Sequence, residues 1–256
     1  MNLNLFSNTS ISYESKSQQI RILTEGWVGN HIFCPRCGNS IMQYENNKPV
    51  ADFYCQHCIE DYELKSKKDK MGRKIVDGAY STMIKRLQSA SSPNFFFLNY
   101  EESTLDIINF LVIPKYFFTP DIIEKRKPLS STARRAGWVG CNILIDTIPE
   151  SGKIFYIKNK QSIGKSNIIE KWHKTSFLND TTDLQSKGWL LEIIKCIEQT
   201  NKINFTLMDI YQFEGYLKNK YPDNNNIKAK IRQQLQILRD KKYLEFINRG
   251  KYKLKK

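Results

Sequence analysis

The chain has 256 residues, 40% of them hydrophobic and 26% charged, the composition of an ordinary globular protein with room for one large domain and one small one. No apolar run approaches the roughly 20 residues that a bilayer span needs, and Met1 to Ser10 lacks the basic-then-apolar layout of a secretory signal, so a cytoplasmic protein without membrane contact is expected. The net charge of +14 is unevenly spread: Leu184 to Lys256 carry sixteen Lys/Arg against seven Asp/Glu, a net of +9, and the preceding 183 residues only +5. A basic module appended to a nearly neutral one points to a polyanion, because each neutralised phosphate releases condensed counterions. Nothing implies a protein partner.

In chain order, Ile20, Ile22, Leu23 and Trp27 predict a helix over Ser15 to Val28, followed by two Cys-x-x-Cys knuckles and acid-rich strands to about Lys68. Lys67 to Lys74 reads as a basic turn. Tyr80, Met83, Ile84 and Leu87 predict a helix over Gly78 to Ser89, ahead of Pro93. Asn94 to Tyr100 and Ile107 to Ile113 are apolar enough for central strands, and Cys141 to Ile145 and Lys153 to Ile157 suggest two more. This order predicts an α/β domain over residues 1–182, with a mixed sheet covered by helices. The polar stretch Asn179 to Lys187 is the expected linker. Beyond it, helices are predicted over Trp189 to Gln199, from a Thr206 cap through Tyr216, and over Ile227 to Arg239. A hairpin follows, Tyr243 to Ile247 and Lys251 to Leu254 about Asn248-Arg249-Gly250. Three helices and a basic hairpin are the order of a winged-helix DNA-binding domain, here over residues 183–256.

Cys34-Pro-Arg-Cys37-Gly and Cys55-Gln-His-Cys58 are seventeen residues apart. Each knuckle converges two thiolates, and two knuckles complete a tetrahedral Zn²⁺ site. Four thiolates leave no open position for water, so the zinc is expected to be structural. His31 and His57 lie near enough to substitute, although an exposed knuckle histidine is the simpler reading. Cys141 and Cys196 stand alone in apolar surroundings and read as small buried hydrophobes.

Between the knuckle and Lys68 lies the chemistry. Glu63 and Lys65 alternate onto one face of a strand, and Asp52 on the preceding strand can meet Glu63 across the sheet. Two carboxylates and the Leu64 carbonyl are hard oxygen donors suited to Mg²⁺. Such an ion can polarise a scissile phosphate and lower the pKa of a bound water, while Lys65 positions that water or offsets charge on the phosphorus. Asp61 shares the Glu63 and Lys65 face and is a rival second carboxylate. Asp52 is preferred because it follows the strand-like approach Pro49-Val50-Ala51. Acid, gap, then Glu-x-Lys is the signature of the Pro-Asp…Asp/Glu-x-Lys nuclease superfamily, from which the chain departs only in that its proline is displaced from the adjacent place. Glu-x-Lys also recurs by chance on charged surface strands.

The ordered motifs also resemble the DpnI family of methyl-directed type II restriction endonucleases. The segments are Arg21 to Glu25, the knuckles, Val50 to Cys55, Glu63 to Lys68, Asp77 to Tyr80, Pro93 to Leu98, Thr132 to Trp138 and Ile231 to Asp240. The likeness spans nearly the whole chain, weakening in the first ten residues and between Ser151 and Asn179. It implies a restriction-endonuclease-like α/β domain with a four-cysteine zinc site, a C-terminal winged helix, and Mg²⁺-dependent cleavage of duplex DNA at G-A-T-C carrying N6-methyladenine. By position it implies Asp52, Glu63 and Lys65 as catalytic residues and Cys34, Cys37, Cys55 and Cys58 as zinc ligands. For DNA reading, Lys228, Arg232, Gln233 and Gln236 face away from the stripe Ile227, Ile231, Leu235 and Leu238, and Gln and Arg can bridge adenine and guanine edges. Lys251 begins an alternating basic wing. Arg134, Arg135 and Trp138 suit a loop entering a groove, against the plainer reading of a core tryptophan. The rival functions are a non-catalytic zinc-containing winged-helix regulator and a nuclease of the same fold without methyl dependence.

Overall fold

The computed structural model describes residues 2–6, 15–45, 51–89, 92–181 and 183–255. They form two compact units: Met1–Thr147 with Ser151–His173, and Ile148–Glu150 with Lys174–Lys256. No helix among the described residues is long and apolar enough to cross a membrane.

The first unit is a mixed α/β domain. It opens with α1 (Lys16–His31), then β1 (Met42–Gln43), β2 (Phe53–Cys55), β3 (Glu60–Lys68), β4 (Lys74–Ala79), α2 (Tyr80–Gln88), β5 (Asn94–Tyr100) and β6 (Ile107–Ile113). It continues with β7 (Ile123–Lys125), β8 (Gly140–Leu144), β9 (Ile154–Lys158), β10 (Gln161–Ser162) and α3 (Lys165–Thr175). The main sheet runs β1-β2-β3-β5-β6-β9-β10, and β4-β8-β7 form a second, smaller sheet. In the main sheet β3 and β5 pair in parallel and the other neighbours antiparallel.

The central strand β5 is Asn-Phe-Phe-Phe-Leu-Asn-Tyr with every residue buried. A strand covered on both faces reads as a continuous apolar run rather than an alternation. Phe96 packs against Tyr62, Phe53, Phe110 and Tyr156, and Trp27 of α1 meets Phe110 edge-on. On the other face Phe95 meets Phe118 and Phe97. Each such buried ring contributes about 1.5–3 kcal/mol. Strand β3 is buried at Glu60 and Tyr62, half-buried through Glu63, Leu64 and Lys65, and exposed from Ser66 to Lys68. Its functional residues therefore lie where it leaves the core.

The second unit contains α4 (Leu184–Gln199), β11 (Asn204–Thr206), α5 (Leu207–Tyr211), α6 (Glu214–Lys220), α7 (Ile227–Asp240), β12 (Leu244–Asn248) and β13 (Lys251–Leu254). Its sheet runs β11-β13-β12, with Gly250 at φ +72° in the turn between the last two strands.

Two expectations need correction. Asn179 to Lys187 is not a continuous linker: Ser176–Asp180 is a 3-10 turn and α4 begins at Leu184. There the Asp183 carboxylate accepts the Ser186 N–H, which fixes the N-cap, and the first turn is polar because it faces solvent. The helix from Thr206 to Tyr216 is two helices, broken where the Phe213 N–H bonds back to the Ile210 carbonyl in a tighter turn. The elements β4, β7, β10, β11 and α3 had not been anticipated.

Candidate active site and metal centre

The antiparallel register of β2 and β3 pairs Phe53 with Tyr62, so the preceding Asp52 stands opposite Glu63. Two bonds lock the arrangement: the Asp52 N–H donates to the Tyr62 carbonyl at 2.9 Å, and the Leu64 N–H donates to Asp52 Oδ2 at 2.7 Å. Asp52, Glu63, Leu64 and Lys65 line one cavity of about 260 Å³, shared with Arg21, Thr24, Glu25 and Ser66. Asp61 does not line it; its carboxylate accepts from the Tyr44 hydroxyl at 2.8 Å. Pro49 and Val50, part of the expected strand approach, lie outside the described residues.

Around this cavity runs a chain of alternating charges. Arg86 Nη1 lies 3.0 Å from Glu63 Oε2, Lys65 Nζ 2.5 Å from Glu63 Oε1, and the same Nζ 2.5 Å from Asp77 Oδ1. On the helix side Arg21 pairs with Glu25 at 2.5 Å and approaches Asp52 at 3.8 Å, and Gln43 donates to Glu25 at 3.0 Å. Burial raises the Asp52 carboxyl above its ordinary range, opposed by the Leu64 N–H. Burial works against the Lys65 ammonium, yet Glu63 and Asp77 together hold its pKa above the ordinary value.

Arg21, Glu25, Asp77 and Arg86 escaped the sequence reading as site residues. They come from α1, β4 and α2, and only the fold brings them to β3. Arg21, Glu25 and Asp77 lie in segments that carried the resemblance, Arg21 to Glu25 and Asp77 to Tyr80, which was the one available signal.

The ligand atoms of Cys34, Cys37, Cys55 and Cys58 all lie within 4.8 Å of one another. Cys34 and Cys58 are 3.3 Å apart and Cys37 and Cys55 3.5 Å. Four sulfurs about 2.3 Å from a central zinc would stand about 3.8 Å apart, so the donor set fits. The knuckles turn on Gly38 at φ +75° and on Ile59 at φ 55°, each donating its N–H to the carbonyl of the first cysteine of its pair. Burial raises the Cys34 thiol to about 11, whereas Cys37, against a smaller burial effect, falls to about 7 because the backbone and side-chain amides of Asn39 support its thiolate. Neither histidine joins the cluster: His31 bonds the Trp27 carbonyl through Nδ1 and His57 is exposed. Cys55 ends β2 and pairs with Glu60 at the start of β3, so a metal here would close the connection between the two strands that carry Asp52 and Glu63. Cys141 and Cys196 are fully buried.

The Arg134, Arg135 and Trp138 segment lies in the excursion between β7 and β8. It is closed by Arg126 N–H to Gly140 carbonyl and Leu129 N–H to Trp138 carbonyl bonds, both at 3.0 Å. Arg134 and Arg135 are exposed, and the Arg135 guanidinium stands 4.6 Å over the half-buried Trp138 ring. Trp138 is therefore not a core residue. In the second unit Ile227, Ile231, Leu235 and Leu238 of α7 are buried, as is Gln234, while Lys228, Arg232, Gln233 and Gln236 are exposed. Lys228 pairs with Glu214 at 3.3 Å, and Arg232 donates to the Tyr211 hydroxyl at 2.7 Å. Lys251 is exposed at the start of β13.

Residues 1–181 match the family model described as DpnI, the Dam-replacing family, and residues 185–254 match the Dam-replacing HTH domain. The chain belongs to the Dam-replacing family. The two matches meet on either side of the Asp183 N-cap that starts α4. A helix-turn-helix domain implies DNA binding, and α7, the fourth helix of the second unit, presents its polar face to solvent. In this family member the α/β unit gathers Asp52, Glu63, Leu64 and Lys65 at one cavity and the four cysteines at one point. The arginine-tryptophan hairpin is a separate feature of that unit, and the α7 and wing residues belong to the other.

Proposed function

We propose that this protein is a methyl-dependent type II restriction endonuclease, cleaving duplex DNA at G-A-T-C containing N6-methyladenine by Mg²⁺-dependent phosphodiester hydrolysis. The observation that carries the reading is the single cavity shared by Asp52, Glu63, Leu64 and Lys65, in a chain of the Dam-replacing family. Asp52 and Glu63, with the Leu64 carbonyl, form a hard-oxygen set suited to magnesium. An ion bound there would polarise the scissile phosphate and activate a water. Lys65 has the charge to offset that which develops on the attacked phosphate, and a half-buried site makes this worth more than in bulk water. The four cysteines hold a structural zinc that keeps the β2 and β3 ends together. Arg134, Arg135 and Trp138 contact DNA from the α/β domain, residues 1–182. Lys228, Arg232, Gln233, Gln236 and Lys251 do so from the winged helix, residues 183–256.

Matched methylated and unmethylated duplexes, incubated with Mg²⁺ and again with a chelator, test this directly. Chelator-sensitive cutting confined to methylated DNA is expected. Binding without any cutting would favour a zinc-containing regulator, and equal cutting of both duplexes a nuclease without methyl dependence.

A further inference from the structure

Lysine carries its charge on a flexible four-carbon arm with many rotamers, so an ammonium needed at one place must be held there. Glu63 alone is a poor holder for Lys65. Its second oxygen already meets Arg86 at 3.0 Å, and in the proposed function it also serves a cation. The other carboxylate on Lys65, that of Asp77, lines no part of the cavity in which a cation would sit. It lies 2.5 Å from Nζ with a side chain only 6% exposed. Its same-face neighbours on β4 and β8 are buried and apolar, Ile75 two positions earlier and Cys141 opposite it in the ladder. A carboxylate taken out of water in such surroundings is strongly disfavoured unless it is paired. Its place in the strand is therefore explained by Lys65.

The backbone is shaped for the same purpose. The β4–β8 ladder slips between Asp77 and Ala79, so Gly78 is an extra residue. A bulge of this kind re-aims the neighbouring side chain. Just beyond it the Tyr80 N–H bonds the Val139 carbonyl at 3.0 Å, and Ala79 pairs with Gly140. The Trp138 ring lies against Gly140 so closely that a Cβ there would come within 2.8 Å of it. The strand that carries Asp77 is thus built onto the base of the arginine-tryptophan hairpin.

We infer that Asp77 is a positioning residue, which holds the Lys65 ammonium at the reacting phosphate from a strand anchored beside Trp138. The inference rests on the nuclease reading, with Lys65 as the catalytic residue and Asp77 acting through it. The test is a double-mutant cycle on the full-length protein with methylated duplex DNA and Mg²⁺. The proteins are wild type, Asp77→Asn, Asp77→Ser, Lys65→Ala and each Asp77 change combined with Lys65→Ala. Loss of the Asp77 charge should lower kcat by about 100-fold, the scale of a catalytic group misplaced by an ångström. KM and the Kd for DNA should stay within about twofold, because docking does not use Asp77. In the Lys65→Ala background neither substitution should slow the residual reaction further.

Asp77→Asn or Asp77→Ser cutting at the wild-type rate would overturn the inference and leave the nuclease reading intact. So would an equal slowing with and without Lys65, the mark of a purely structural residue. A wild-type protein that does not cut would remove both, and that arm is read first.

Discussion

Lys65 touches Glu63 and Asp77, and in the proposed function it acts in the chemical step and not in DNA reading. Lys65→Ala and Glu63→Ala are expected to cut cleavage to a slow residual rate, measurable only at high enzyme and long incubation, while DNA binding, followed by fluorescence anisotropy, stays largely intact. Near-wild-type cutting by Glu63→Ala would restore Asp61 as the rival carboxylate, against its present engagement with Tyr44. Cys55 answers to a different measurement. A half-built thiolate site forfeits metal-binding energy that is also folding energy, so Cys55→Ser should lose zinc, by metal analysis, and melt at lower temperature. An unchanged melting temperature with zinc lost would count against the clip between β2 and β3. At this scale the alternation rule and the β2–β3 hairpin sufficed to place Asp52, Glu63 and Lys65 together. Arg21, Glu25, Asp77 and Arg86 were not legible, because no local spacing relates them to β3.

At the level of elements, the junction of β11 and α5 carries a complete capping box. The Thr206 hydroxyl accepts the Asp209 N–H, and the Asp209 carboxylate accepts the Thr206 N–H in return. Thr206→Ala should cost about 1 kcal/mol by urea unfolding. Lys202, and then Thr206, hold the Asp209 carboxyl down from its ordinary 3.8 to about 2. A depressed carboxylate stabilises the fold above its unfolded pKa, and that contribution is lost as protons bind the folded state. The stability difference between wild type and Asp209→Asn should therefore be constant at neutral pH and shrink as pH falls from about 4 to about 2. A difference independent of pH would place the effect elsewhere. The mainly apolar β5 and β6 are legible to their end residues, since a run of consecutive large apolar side chains announces a central strand by composition alone. The three-residue strands β7 and β11 were missed, being too short to show a period.

For the molecule as a whole, the +9 surplus from Leu184 onward sets the expected response to salt. If about five phosphates are neutralised, log K against log salt should fall with a slope near −4 to −5. A slope near zero would assign the charge another purpose. Methyl dependence needs more than one contact, because burying a methyl is worth only about 0.8 kcal/mol, roughly fourfold. Strong discrimination requires several readings multiplied or a pocket that penalises the bare amine. Fully methylated G-A-T-C should be cut fastest, hemimethylated more slowly and unmethylated scarcely at all. Trp138→Ala should lower the first rate with the helix-turn-helix domain untouched. Equal rates on all three duplexes at limiting enzyme would refute methyl dependence.

The sequence by itself determined whatever is local or compositional. That covers the knuckle spacing of Cys34, Cys37, Cys55 and Cys58, the Asp52…Glu63-x-Lys65 order, the core stripe of α7 and the basic C-terminal third. Each of the first three is a pattern of period two, of period 3.6 or of a fixed gap, imposed by backbone geometry before any tertiary contact forms. The tertiary structure decided what depends on elements distant in the chain. It put Asp52 and not Asp61 at the cavity, left Trp138 half-buried on Gly140, and brought Asp77 and Arg86 to the Glu63–Lys65 pair. Those outcomes follow from strand register and from the packing of β4 and α2, which no short stretch of sequence encodes.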